Sequence, residues 1–88
     1  MNISFSGTLL RFVNFQKTVQ LDAATVGEAL GAIAARFPQA KAVIYDGDGR
    51  VRHIHQIFLN GEQLAPTELD RRVDASDRME LLTAIAGG

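Results

Sequence analysis

The sequence predicts an α+β domain in which one sheet of four to five short strands packs on a single main helix. Two observations carry this expectation. An uninterrupted apolar stripe at helical spacing occupies residues 25–37, and the flanking segments alternate apolar with polar residues or concentrate β-branched and aromatic ones. The chain has 88 residues, enough for one such domain and too few for two.

Residues 2–7 alternate, with Ile3 and Phe5 on one face and Ser4 and Ser6 on the other, as a half-buried strand does. Gly7 leads into a connection from Thr8 to Phe15. Residues 16–21 alternate again, Val19 and Leu21 opposite Thr18 and Gln20, completing an N-terminal hairpin. Thr25-Val26-Gly27-Glu28 has the form of a capping box, in which the Thr hydroxyl accepts an early backbone N–H and the Glu carboxylate reaches back. Val26, Ala29, Leu30, Ile33, Ala34 and Phe37 follow at spacings of three and four, and Pro38 ends the helix.

Residues 39–45 are expected to add a short helical turn with Ala42 and Val43 inward, and Asp46-Gly47-Asp48-Gly49 reads as a turn. His53 to Leu59 reads as a strand, Asn60-Gly61 as a tight hairpin turn, and Gln63-Leu64 as the start of a return strand that Pro66 interrupts. The last strand runs from Met79 to about Thr83. The helix and one sheet face each have an apolar side to bury, so they pack together. The expected core is Ile3, Phe5, Val19, Leu21, Val26, Leu30, Ile33, Phe37, Ile57, Leu59, Met79 and Leu81.

Composition narrows the function. An apolar content of 47% and a net charge of −1 describe an ordinary globular chain. No apolar run approaches the ~20 residues of a membrane helix. The start lacks the basic and long apolar segments of a secretory signal, so a cytoplasmic location is expected. Lys17 and Lys41 are the lysines, and the seven arginines are dispersed among carboxylates, which argues against nucleic acid as a main partner. Cysteine is absent, excluding disulfides, thiolate metal sites and a cysteine nucleophile.

Several features invite chemistry, and each has a plainer reading. His53 and His55 share a strand face but lack a third ligand, so a structural or solvated role is expected and no metal site. The Asp46 to Gly49 cluster lacks the later ligands of a calcium loop. The alternating charges Asp70, Arg71, Arg72, Asp74, Asp77 and Arg78 read as solvated surface. Phe58 and Leu82 fall on the sheet face away from the helix, where adjacent apolar residues mark a partner interface or simply stand as ordinary surface apolar residues. No catalytic constellation or phosphate-binding glycine loop is found, and no bound cofactor is expected.

The chain ends in Ile85-Ala86-Gly87-Gly88, an apolar-to-small gradient that reads as a flexible tail, residues 84–88, after a domain of residues 1–83. Fully extended, Thr83 to Gly88 reaches about 20 Å. With this ending, the strand pair at the N-terminus, the helix opening at Thr25-Val26 and the run Ile57-Phe58-Leu59-Asn60-Gly61, the sequence resembles the ThiS/MoaD family of sulfur carriers over nearly its whole length. The Asp46–Arg52 loop is longer than in the shortest thiamine-pathway carriers. That places the chain nearer the molybdopterin-synthase small subunit and the cysteine carriers. Thr83 stands where family members often carry proline.

The resemblance implies a ubiquitin-like β-grasp with a mixed sheet, and a protein co-substrate in place of an enzyme. It also implies that Gly88 is the adenylation and thiocarboxylate site, with Gly87, Ala86 and Ile85 seating the tail in partner channels. ATP is used by a partner, an adenylyltransferase related to ubiquitin-activating enzymes. Further partners are a sulfur donor protein or sulfide, and a biosynthetic enzyme that accepts the sulfur. A small-subunit role in a molybdopterin-synthase-like complex, a protein modifier forming isopeptide bonds, and an interaction domain with an inert tail remain alternatives. The absence of an internal thiol is compatible with an acyl-adenylate at Gly88.

Overall fold

The computed structural model describes residues 1–52, 55–65 and 67–83. Strand β1 (Asn2–Gly7) is followed by a 3-10 helix (Thr8–Phe12), β2 (Thr18–Gln20), helix α1 (Val26–Arg36), helix α2 (Pro38–Ile44), β3 (His55–Leu59), β4 (Glu62–Gln63) and β5 (Arg78–Thr83). The strands form one sheet in the order β2-β1-β5-β3-β4. β1 and β5 are parallel, and the other neighbouring pairs are antiparallel. The sheet is therefore mixed and the fold α+β.

The N-terminus of α1 forms as its sequence directs, with one change. Thr25 is the N-cap, its Oγ1 accepting from the Glu28 N–H at 3.1 Å. The Glu28 carboxylate, however, accepts from the N–H of Ala24 at 3.1 Å, one residue before the cap. Segment 69–73 straps this end of the helix. The N–H groups of Val26 and Gly27 donate to the carbonyls of Arg71 and Leu69, and that of Val73 to Ala24. A Cβ on Gly27 would lie 3.1 Å from the Leu69 oxygen, so the strap needs a glycine-sized residue there.

Four expectations are corrected or extended. The 8–15 connection is not bare loop: its 3-10 helix buries Leu9, and Val13 just beyond is buried as well. Proline 38 ends α1 but also begins α2, occupying the N1 position where its missing N–H costs nothing. Along α2, Ala40 and Ile44 face the core, while Ala42 is exposed and Val43 half-buried. The two buried residues are four apart, one helical turn, whereas Ala42 and Val43 are adjacent and point to different sides. The strand expected over 16–21 shortens to Thr18–Gln20, leaving Leu21 half-buried at the edge of the core.

The remaining core residues are buried as expected, and Met1, Leu64 and Val73 join them. Ile3, Leu30, Ile33, Met79 and Leu81 have no exposed surface. The Asn60-Gly61 turn has φ of 51° and 86° at its two residues, the left-handed pair of a type I′ hairpin. It sets the register that pairs Leu59 with Glu62 and Phe58 with Gln63. Among the described residues no helix is long and apolar enough to cross a membrane.

Candidate functional site

The segment that the sequence marks as functional leaves from β5, the centre of the sheet. β5 is held on both sides, by parallel pairing with β1 and antiparallel pairing with β3. Met79 and Leu81 anchor it from below, fully buried. Its last residue, Thr83, pairs with Gly7 on one side and His55 on the other. The expected site residues Ile85, Ala86, Gly87 and Gly88 lie outside the described residues. What the structure shows is the platform: a doubly paired strand that carries the chain to the sheet's end.

The face of the sheet turned from the helices is mostly polar. It presents Ser4 and Ser6 from β1, Glu80 and Leu82 from β5, and Gln56 and Phe58 from β3. Phe58 stands opposite Glu80, and Leu82 lies between Gln56 and Ser6. Phe58 and Leu82 are thus diagonal neighbours, about 7–8 Å apart by sheet geometry, within reach of one side of a partner. Both are half-buried, shielded by their flanking side chains.

Other sequence candidates resolve into structural parts. His55 is buried and faces inward, its Nε2–H donating to the Val43 carbonyl at 2.9 Å. Burial holds its pKa below the usual histidine range. His53 lies outside the described residues. Among the described residues, no three His, Asp or Glu side chains are placed to hold a metal. Asp46 closes its turn with one carboxylate oxygen, which accepts from the N–H groups of Asp48 at 2.8 Å and Arg50 at 3.1 Å. These two bonds hold its pKa below the ordinary carboxylate range.

In the charged 70–78 segment, Arg71 meets Glu68 at 3.5 Å in an exposed pair, which contributes little. Asp77 is more than surface charge. It accepts from the Asn60 amide at 2.9 Å and from the Asp74 N–H at 2.8 Å, while Asn60 accepts from the Arg78 N–H at 2.9 Å. The hairpin turn is thereby tied to the start of β5. A sequence signal for Asn60 existed only as a turn former, because its partners lie far along the chain.

One exposed residue escaped the sequence reading. Phe15, in the connection after β1, has 70% of its surface accessible and a left-handed backbone.

Comparison with known proteins decides the family. The sequence profile of the ThiS family matches residues 3–88, a span that includes Gly87 and Gly88. The chain belongs to the ThiS family. Among solved structures, SAMP1 of Haloferax volcanii, a small archaeal modifier protein, is 27% identical with a TM-score of 0.87, covering 100% of this chain and 98% of its own. CysO in the Amycolatopsis orientalis BexX/CysO complex matches at 24% identity and TM-score 0.81, over 99% and 98% of the two chains. Mycobacterium tuberculosis CysO matches at 20% identity and TM-score 0.79, over 96% and 98%. These two likenesses concern the fold. No curated protein matches the chain by sequence. This ThiS-family protein is therefore a ubiquitin-like β-grasp domain, a small protein of the sulfur-carrier class.

Proposed function

We propose that this protein is a sulfur carrier whose Gly88 carboxylate is activated with ATP by an adenylyltransferase and converted to a thiocarboxylate. The observation that carries the proposal is the reach of the family match, which runs through Gly88 on a fold whose central strand ends at Thr83, five residues earlier in the chain. A terminal carboxylate has a pKa of about 3.3–3.7, so at neutral pH it is anionic and resists nucleophiles. Its attack on the α-phosphate of ATP forms an acyl-adenylate and releases pyrophosphate. A sulfide or persulfide sulfur then adds to the carbonyl. AMP departs with one of the two carboxylate oxygens, leaving –COS⁻ on Gly88; a persulfide donor also requires a thiol to cleave the S–S bond.

The protein's own part is to present the tail. β5 fixes its root, and Gly87, without a Cβ, lets a nucleotide approach the backbone closely. Ile85 and Ala86 seat the tail in the partner, and Phe58 with Leu82 add contact on the open sheet face. We place the reaction in the cytoplasm, with the sulfur passing from a donor protein or sulfide to a biosynthetic enzyme. The test is pyrophosphate release from ATP by a purified adenylyltransferase shown to be active on another carrier of this family. Release that depends on the carrier and vanishes when Gly88 is deleted supports the proposal. Release indifferent to that deletion contradicts it.

A second reading has one observation in its favour, the 27% identity to small archaeal modifier protein 1 over the full chain. The same acyl-adenylate, met by a lysine amine instead of sulfur, yields an isopeptide bond. Gly88-dependent higher-mass adducts in cells expressing the protein would mark that outcome.

A further inference from the structure

Among the described residues, Phe15 is the one large hydrophobic side chain that is exposed. Its backbone is also costly. Asn14 and Phe15 have φ of 56° and 58°, two successive left-handed residues. Asparagine tolerates that region, whereas a bulky side chain there is an outlier. The conformation is held in place from several directions. The Phe15 N–H donates to the Leu10 carbonyl at 2.8 Å, the Gln16 N–H to that of Val13 at 3.1 Å, and the Gln39 amide to Asn14 Oδ1 at 3.2 Å. Leu9 and Val13 root the turn in the core, each fully buried. A rigid turn in a disfavoured conformation thus holds an aromatic ring in water, where folding gains little from it. Strain retained in this way points to a use outside the fold.

Its position suggests the use. β1 and β5 run parallel, and Gly7 pairs with Thr83 at their ends. The turn carrying Phe15 therefore begins at Thr8, beside the end of β5 at Thr83, on strands about 4.8 Å apart. The 3-10 helix of the turn also packs on β5. A protein that draws the C-terminal residues into a narrow site must cover this end of the sheet. The charge here is one-sided: residues 1–21 contain Arg11 and Lys17 and no Asp or Glu. Both basic residues are exposed and flank the ring in sequence.

We propose that Phe15 is a docking anchor that inserts into an apolar, carboxylate-rimmed pocket on the adenylyltransferase that activates Gly88. This rests on the functional reading above and adds to it a contact separate from Phe58 and Leu82. A phenylalanine suits the role, since it brings large apolar area with few rotatable bonds, and anchors of this kind dominate binding energy.

The test uses the full chain and an adenylyltransferase that activates it, reading initial rates of pyrophosphate release against carrier concentration. Phe15→Asn keeps a residue that accepts the left-handed backbone and removes the ring. Its melting temperature is expected to equal or exceed that of the parent, with a KM for the carrier raised about tenfold or more and kcat unchanged. Phe15→Tyr restores the parent KM, and replacing Arg11 and Lys17 by Ala removes the rise of KM with salt. An unchanged KM for Phe15→Asn, with the parent fully active, overturns the anchor and leaves the functional reading intact. A lowered melting temperature makes the residue structural and also overturns it. A parent chain that is never activated defeats the functional reading, and the anchor falls with it.

Discussion

Asn60 and His55 show how single residues hold this small fold in shape. Asn60 supplies the left-handed turn conformation and, through both ends of its amide, bonds to Asp77 and the Arg78 N–H. Asn60→Ala loses both, and the expected cost is about 1 kcal/mol, read from urea denaturation. The Asn60 bond, followed by that from the Asp74 N–H, depresses the Asp77 pKa. A depressed carboxylate contributes stability above its unfolded pKa of about 3.9 and loses it as pH falls through the folded value. Stability is therefore expected to decline below about pH 4, and less steeply in Asn60→Ala. His55 acts in a higher window. Burial lowers its pKa, so the folded state prefers the neutral ring. Its contribution is complete above the unfolded value of about 6.5 and is lost as pH falls from there through the folded one. Urea midpoints at pH 7.5 and pH 5 are expected to differ in the parent and to converge in His55→Gln.

At the scale of elements, β5 separates a core-facing side from an open side by alternation alone. Leu81 is fully buried between sheet and helix, and Leu81→Ala is expected to cost about 2–5 kcal/mol in thermal or urea unfolding. Leu82, the next residue, lies on the open face. Leu82→Ser together with Phe58→Ser is expected to raise the KM for adenylation by about tenfold while the protein still unfolds cooperatively. A wild-type KM in that double variant would remove the open face from the interface. The same alternation made the strands legible in the sequence, as the Thr25 cap and Asn60-Gly61 made α1 and the hairpin legible. Each of these has a local cause. The 3-10 helix and the inward side of α2 do not: Leu9, Val13, Ala40 and Ile44 are buried because the two segments pack on each other and on the core, a tertiary fact absent from any short window. Phe15 was missed for the related reason that exposure and a positive φ leave no periodic trace.

For the whole molecule, the proposed function makes the fold a holder for its last residues. The doubly paired β5 gives residues 84–88 a fixed origin, while the helix-covered side supplies the stability that keeps that origin in place. The candidate site rests on composition and position, Gly87-Gly88 after the last strand, within the span that the family match covers. On the proposed reading the chemistry is confined to one carboxylate, which carries no signature of the pathway that would receive the sulfur.

The central claim is tested most directly by weighing the protein. The full chain, untagged at Gly88, is incubated with the adenylyltransferase, ATP and a sulfide source, beside a chain lacking Gly88, and both are measured by intact and C-terminal-peptide mass spectrometry. The account predicts a gain equal to one oxygen-to-sulfur exchange, mapped to Gly88 and absent from the truncated chain. An unchanged mass, with an adenylyltransferase shown to be active on another carrier, would contradict it.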